Sequence, residues 1–308
     1  MPEVIVHGGA GTWSNYDDDR VLSGIEKALT EGFTTLVRTQ SPELAVVRAV
    51  SQLEDNPLFN AGTGSCLNLK GEVEMDACIV DGKTGEVGGV TGIQDVKNPI
   101  QVAQDVKDKT DHLLLSGRGA LDFARVHGHV SHDCATESAQ EQYEERMDQL
   151  DRESGETARN NAELLDHPDL RGNTVGAVAR NSEGELAAAT STGGVLLQLR
   201  GRVGDTPVPG AGTYASGTTA SSATGPGEYI LREMTTRSFD REIKGGSECQ
   251  HSGEKVIQTI SRRYDESTGI IGIDSKGKRA IYHETKRMPY GVKTKEESVL
   301  ELAMSDGR

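Results

Sequence analysis

The chain has 308 residues, 48 acidic and 33 basic, for a formal net charge of -15. Such a length buries a substantial core, in one large domain or two ordinary ones. The charge disfavours tracking a phosphate backbone or docking on an anionic membrane, so a small-molecule substrate is expected, with no nucleic-acid and no membrane partner.

Cys66, Cys78, Cys134 and Cys249 have no CxxC spacing, which sets aside a disulfide framework and a zinc ribbon. The opening MPEVIVHGGAG lacks the basic start and apolar run of a signal, and nowhere do about 18 apolar residues follow one another. A soluble, cytoplasmic protein is the expectation. Dense Gly, Ala and Val strand patterns favour a folded chain with an acidic surface over a disordered one, and a salty cytoplasm is one setting that would favour such a surface.

In chain order, VIVHGG at 4–9 reads as a short buried strand broken by glycines, and 19–38 and 41–55 have helical apolar spacing. Residues 59–92 alternate between apolar and polar with repeated Gly and Asp turn signals, which predicts two or three antiparallel strands. Helical patterning returns over 101–127. Residues 133–171 turn charged and poor in large apolar side chains, predicting an exposed helix and then a flexible linker, either between domains or ahead of a processing site. Beyond it, TVGAV and GELAAAT read as strands joined by NSEGE. Runs of strands beside runs of helices point to an α+β protein whose sheets pack together under helix layers.

A hydroxyl nucleophile needs a base beside it. The shortest supply is to make Thr the first residue of a chain, because its α-amine, with a pKa near about 7.7–8, then accepts the hydroxyl proton. Thr174 meets that requirement once the Asn173–Thr174 bond is cut. Read alone, Thr174 and Thr192 are equally ordinary strand threonines, and Arg202 and Asp205 are equally a turn salt bridge.

Seven blocks in order carry more weight: HGGAG at 7–11, LFNAGTGS at 58–65, MDACIVDG at 75–82, TVGAVA at 174–179, ATSTGG at 189–194, GRVGD at 201–205 and TGPGE at 224–228. Together they resemble the plant-type asparaginases, or isoaspartyl peptidases, of the N-terminal-nucleophile hydrolases, over about residues 4–290. The resemblance implies a four-layer αββα sandwich, all of 1–308 as one domain. It also implies a precursor that cuts itself into an α chain, 1–173, ending in the acidic helix and linker of about 133–173, and a β chain, 174–308.

Residue by residue, the resemblance implies that Thr174 is the nucleophile and Thr192 a hydroxyl bonded near it. Thr224 and Gly225 would form the oxyanion hole. Arg202 and Asp205 would hold the substrate's α-carboxylate and α-amine, with Gly227 beside the amine and Asn60 near the nucleophile. Gly9 and Gly11 would allow close packing at the site. Leu53, Glu54, Asn56, Phe59, Ala61 and Thr63 resemble a loop that wraps a structural sodium ion with backbone carbonyls. No other cofactor is implied, and the assembly would be a homodimer of αβ units. L-Asparagine and β-aspartyl dipeptides are the implied substrates, and their shared aspartyl head leaves them unranked.

The chain departs from the pattern at Asn173, where Gly or Asp is usual, and at Pro226, which removes one backbone N–H. A glycosylasparaginase-like or protein-cleaving relative is the alternative among enzymes, and a non-maturing aspartate- or asparagine-binding protein the alternative outside them. His127, His129, His132 and Cys134 lie close enough in sequence for a metal site, but such spacing equally describes a solvated face, and the resemblance assigns them nothing.

Overall fold

The computed structural model describes residues 1–13, 16–154 and 174–304. Strand β1, Glu3–His7, is followed by α1, Asp18–Thr39, and α2, Pro42–Glu54. Local chemistry sets these helix ends. The Asp17 carboxylate accepts the Arg20 N–H at 2.9 Å, Gln40 closes α1 in the left-handed region at φ 57°, and the Ser41 hydroxyl accepts the Leu44 N–H at 3.2 Å ahead of Pro42.

Of the strands expected over 59–92, two form: β2, Met75–Asp81, and β3, Val87–Ile93, paired antiparallel. Residues 59–74 instead form turns with a lone Leu67–Val73 bridge, because positive φ at Gly62, Gly64 and Gly71 breaks the extension. The helical stretch over 101–127 is also interrupted. Helix α3, Pro99–Lys109, stops where the Thr110 backbone turns extended and its hydroxyl donates to the Val106 carbonyl; β4, Leu114–Ser116, then pairs parallel with β3 before α4, Gly117–Val126. Helix α5, Glu137–Ser154, is the expected charged helix; over 137–149 most of its residues are exposed, with Ala139 and Arg146 buried. The linker after it, with Asn173, lies outside the described residues.

The hairpin after it is β5, Val175–Arg180, and β6, Leu186–Thr192. Then follow β7, Thr213–Ala215; β8, Thr219–Thr224; α6, Gly227–Glu233; α7, Thr235–Lys244; and α8, Cys249–Tyr264. The chain closes with β9, Gly269–Asp274; β10, Arg279–His283; β11, Arg287–Thr294; and β12, Ser298–Met304.

The eight-stranded sheet runs β12-β11-β1-β5-β6-β2-β3-β4 and the four-stranded sheet β10-β9-β8-β7. Helices α1 to α4 cover the outer face of the large sheet through a core that includes Val4, Val6, Ile25, Leu29, Val50, Ile79, Val175 and Ala189. A second core lies between the sheets, with Ile5, Cys78, Val80, Val178, Leu186, Ile271 and Ile273. Phe239, Ile257 and Ile270 join α7 and α8 to the outer face of the small sheet. The layers are therefore α, β, β, α. Each fully buried Ile, Leu or Val contributes about 1.5–3 kcal/mol, and the period of two along each strand divides these residues between faces. Among the described residues no helix is long and apolar enough to cross a membrane. All four cysteines are free thiols.

Candidate active site

Towards one end of the inter-sheet space the inward positions change from aliphatic to polar. On β1 Ile5 gives way to His7, on β6 Leu186 and Ala188 to Thr190 and Thr192, on β8 Ala220 to Ser222 and Thr224, and on β2 Val80 and Cys78 to Asp76. Thr174 directly precedes β5, two residues from Gly176 and so on the same face. Its hydroxyl donates to Thr192 Oγ1 at 3.2 Å, and that oxygen also accepts the Gly194 N–H at 3.1 Å. Both threonines are buried.

Asn60 fixes the turn that presents Thr192. Its Nδ2 donates to the Gly194 carbonyl at 2.7 Å, its carbonyl accepts the Gly193 N–H at 2.9 Å, and its Oδ1 accepts the Cys66 N–H at 2.8 Å. The HGGAG loop reaches the opposite sheet, where the Ala10 N–H donates to Thr224 Oγ1 at 3.1 Å. Gly225, next in the chain, has φ +134°, and a Cβ there would meet Thr268 Cγ2 at 2.9 Å, so only glycine fits without displacement. Pro226 has φ -61° and opens α6, accepting the Tyr229 N–H, so its missing donor falls where a helix start needs none.

A second polar group lies behind the threonines. His7 Nε2 is 2.9 Å from Ser222 Oγ, which is 2.8 Å from Thr190 Oγ1. Burial drives the His7 imidazole down to about 3, against a smaller opposing pull from the Thr174 backbone, so the ring is neutral. A Cβ at Gly176 would sit 2.0 Å from Ser222 Oγ, so β5 carries glycine where this bond passes.

Arg202, Asp205 and Gly227 converge. A Cβ at Gly227 would lie 2.6 Å from Asp205 Oδ1 and 2.9 Å from Arg202 Nη2. Arg202 and Asp205 do not form the turn salt bridge; instead Arg202 Nε and Nη2 donate to the two Glu228 oxygens at 2.9 and 3.0 Å. Asp205 Oδ2 is buried and has no hydrogen-bond partner among the described residues. Burial raises the Asp205 carboxyl to about 7 although Arg202 pulls it down. Asp76 pairs with Thr192 across β2 and β6 and accepts the Gly92 N–H at 2.8 Å and the Gly204 N–H at 3.3 Å. Burial pushes its carboxyl to about 6. Chemically, this is a buried hydroxyl pair beside one fixed cation and one unpaired carboxyl, a set that fits a zwitterionic ligand.

Reading the sequence passed over Glu228, Asp76, His7, Ser222 and Thr190. Glu228 stood inside the quoted TGPGE and Asp76 inside MDACIVDG, but their partners lie 26 and 128 residues away, and only folding reveals such pairings.

In the 53–63 loop the carbonyls of Leu53, Glu54, Asn56 and Phe59 each accept a backbone N–H from within the loop, and each keeps a second lone pair. An all-carbonyl donor set suits a weakly held hard cation, so the residues fit the group. The Glu54 side chain faces elsewhere. It accepts the Ser191 hydroxyl at 2.7 Å and the Ile100 N–H at 2.9 Å, and burial pushes its carboxyl up to about 8. The histidines separate: His127 Nδ1 lies by the Phe123 carbonyl, His129 on Asp105 and His132 on Thr63. Among the described residues no three His, Cys, Asp or Glu side chains form a metal-binding group.

Two packed sheets between helix layers, with a buried threonine heading an inner strand, define the N-terminal-nucleophile class of hydrolases. The model of the family described as asparaginase matches residues 1–301. The chain is 43% identical over 293 residues to the plant-type L-asparaginase of Pyrococcus abyssi and 44% over 295 to that of Thermococcus kodakarensis, covering 94% of this chain and 95% of each relative. It is 35% identical over 294 residues to the isoaspartyl peptidase/L-asparaginase of Danio rerio, covering 94% of this chain and 91% of that one. The chain belongs to the asparaginase family and is a hydrolase.

Proposed function

We propose that this enzyme cuts itself before Thr174 and then hydrolyses L-asparagine to L-aspartate and ammonia, and β-aspartyl dipeptides to their amino acids. The observation that carries the reading is the buried Thr174–Thr192 hydroxyl pair, joined to the Arg202–Asp205 loop through Asp76, which pairs with Thr192 across the strands and accepts the Gly204 N–H. In the precursor, Thr174 Oγ attacks the Asn173 carbonyl, the peptide C–N bond breaks to free the Thr174 amine, and water hydrolyses the ester. In the mature site the freed amine takes the hydroxyl proton as Oγ attacks the side-chain carbonyl, then delivers it to the departing ammonia or amine. Water cleaves the β-aspartyl ester and restores the threonine.

Thr192 orients the attacking oxygen, and the Thr224 hydroxyl with the Gly225 N–H receives the charge on the tetrahedral oxygen. Arg202 takes the α-carboxylate, and Asp205, through the Oδ1 that stands beside Gly227, takes the α-amine together with that glycine. Asn60 holds the turn that carries Thr192. The backbone carbonyls of Leu53, Glu54, Asn56, Phe59, Ala61 and Thr63 would hold a sodium ion, whose contribution is to stiffen the loop below Asn60. Replacing sodium by choline should then lower the melting temperature. We assign the protein to the cytoplasm as a homodimer of αβ units, a state that light scattering on the cut protein tests.

The deciding experiment is intact-mass spectrometry of purified protein over time, at low and high salt, with ammonia release measured on the same samples. Fragments of 1–173 and 174–308 with asparagine turnover support the reading. A single uncut chain without turnover in every condition overturns it.

A further inference from the structure

The Arg202 fork is engaged by a neighbouring side chain. Its Nε and Nη2 bind both Glu228 oxygens, a side-on bidentate pair that holds the plane of the guanidinium. The Arg202 side chain is 13% exposed and Glu228 36%, so the pair stands at the edge of the site with the arginine inward. Gly204 and Gly227 flank the guanidinium: a Cβ on the first would lie 2.8 Å from Nη1, and on the second 2.9 Å from Nη2. The Nη1–Nη2 end is thus the edge left for a ligand, and on the Gly227 side it adjoins Asp205, whose Oδ1 would lie 2.6 Å from the same Cβ position. Around this one cation stand three acidic side chains, Glu228, Asp205 and Asp76.

We propose that Glu228 is a positioning residue for substrate selection: it occupies the side edge of Arg202, commits the end edge to the α-carboxylate, and makes the head site demand a zwitterion. This rests on the reading of Arg202 and Asp205 as the head-group pair. A ligand carboxylate enters beside carboxyls that already balance the arginine, so it needs its own ammonium, seated on Asp205, to offset the added negative charge. An analogue lacking the amine brings the charge without the offset. Glu228 touches neither threonine of the proposed chemistry, and its effect falls on binding.

The test is steady-state kinetics of Glu228→Gln and Glu228→Ala, with rates expressed per cut chain as counted by intact mass. L-Asparagine is compared with succinamate, the same amide without the α-amine. The expected result is a KM for L-asparagine raised about ten-fold or more, because a charge-assisted pair is lost, with kcat changed by less than about three-fold. The preference for L-asparagine over succinamate should narrow in both variants, and Glu228→Asp should restore part of it. A KM that stays or falls, a kcat that falls in step, or an unchanged preference overturns the proposal, as does failure of all three variants to be cut. Arg202→Ala separates the two levels. If it leaves KM unchanged, the head-group reading itself fails; if it raises KM while the Glu228 variants do not, only the role of Glu228 fails.

Discussion

The two ends of the inter-sheet space are built from the same strands and the same faces, yet one is a core and the other a site. At the first end Ile5, Val178, Leu186, Ala188, Ile271 and Ile273 interlock without polar groups. At the second, two to four residues along those strands or their neighbours, stand His7, Gly176, Thr190, Thr192 and Ser222, bridged by bonds from sheet to sheet. The lesson is that the site costs no extra element. A strand that alternates strictly can exchange valine for threonine at an inner position without disturbing its ladder, because both are β-branched and both suit a pleated surface.

The sharpest way to break the comparison is Thr174→Ala. It should leave the chain uncut by mass spectrometry and lower ammonia release by about 10⁴-fold or more. Next is Arg202→Ala, expected to cost about 10²-fold or more in kcat/KM, chiefly through KM in initial-rate assays. At the apolar end, Ile271→Ala should lose about 2–5 kcal/mol in denaturant unfolding yet leave kcat nearly unchanged at a temperature where the variant is folded. Gly176→Ala tests the boundary itself. The added methyl collides with Ser222 Oγ, so about 1–3 kcal/mol of stability should go, and turnover with it as His7 and Ser222 shift.

The smallest effect concerns pH. Glu54 is held at about 8 by burial against an ordinary 4.5, so across that window the folded state keeps a proton that the unfolded chain releases. Its stabilising effect is complete below pH 4.5 and disappears as pH rises through 8. Asp205, raised to about 7, acts in the same direction. Glu54→Gln should therefore flatten the fall in melting temperature between pH 5 and 8. A curve unchanged from the parent would deny the buried acid that role.

Elements with local signals were legible. The apolar stripes over 19–38 and 41–55 marked α1 and α2, and the NSEGE turn marked the β5–β6 hairpin. Strand β4 was not, because Leu114–Ser116 is extended only by pairing with Gly89–Thr91, a partner absent from the local pattern. The site divides similarly. Thr174, Thr192, Arg202 and Asp205 stand in ordered blocks that resemble a family. Glu228 and Asp76 matter through partners fixed by folding, and His7, inside the quoted HGGAG, meets Ser222 only across the two sheets, 215 residues away. Asn173 stays with the sequence, outside the described residues.

The strand order has one more consequence. Within the large sheet β1 lies between β11 and β5, and β6 lies against β2, so segments from before and after residue 174 alternate. The uncut chain assembles this sheet within one molecule, at a rate independent of concentration. Once cut, two polypeptides must find each other again, and reassembly becomes second order, in competition with aggregation of each half. Maturation on this scheme is a one-way step for folding as well as for chemistry: heating and cooling should return the precursor readily and the mature enzyme poorly, the more so on dilution.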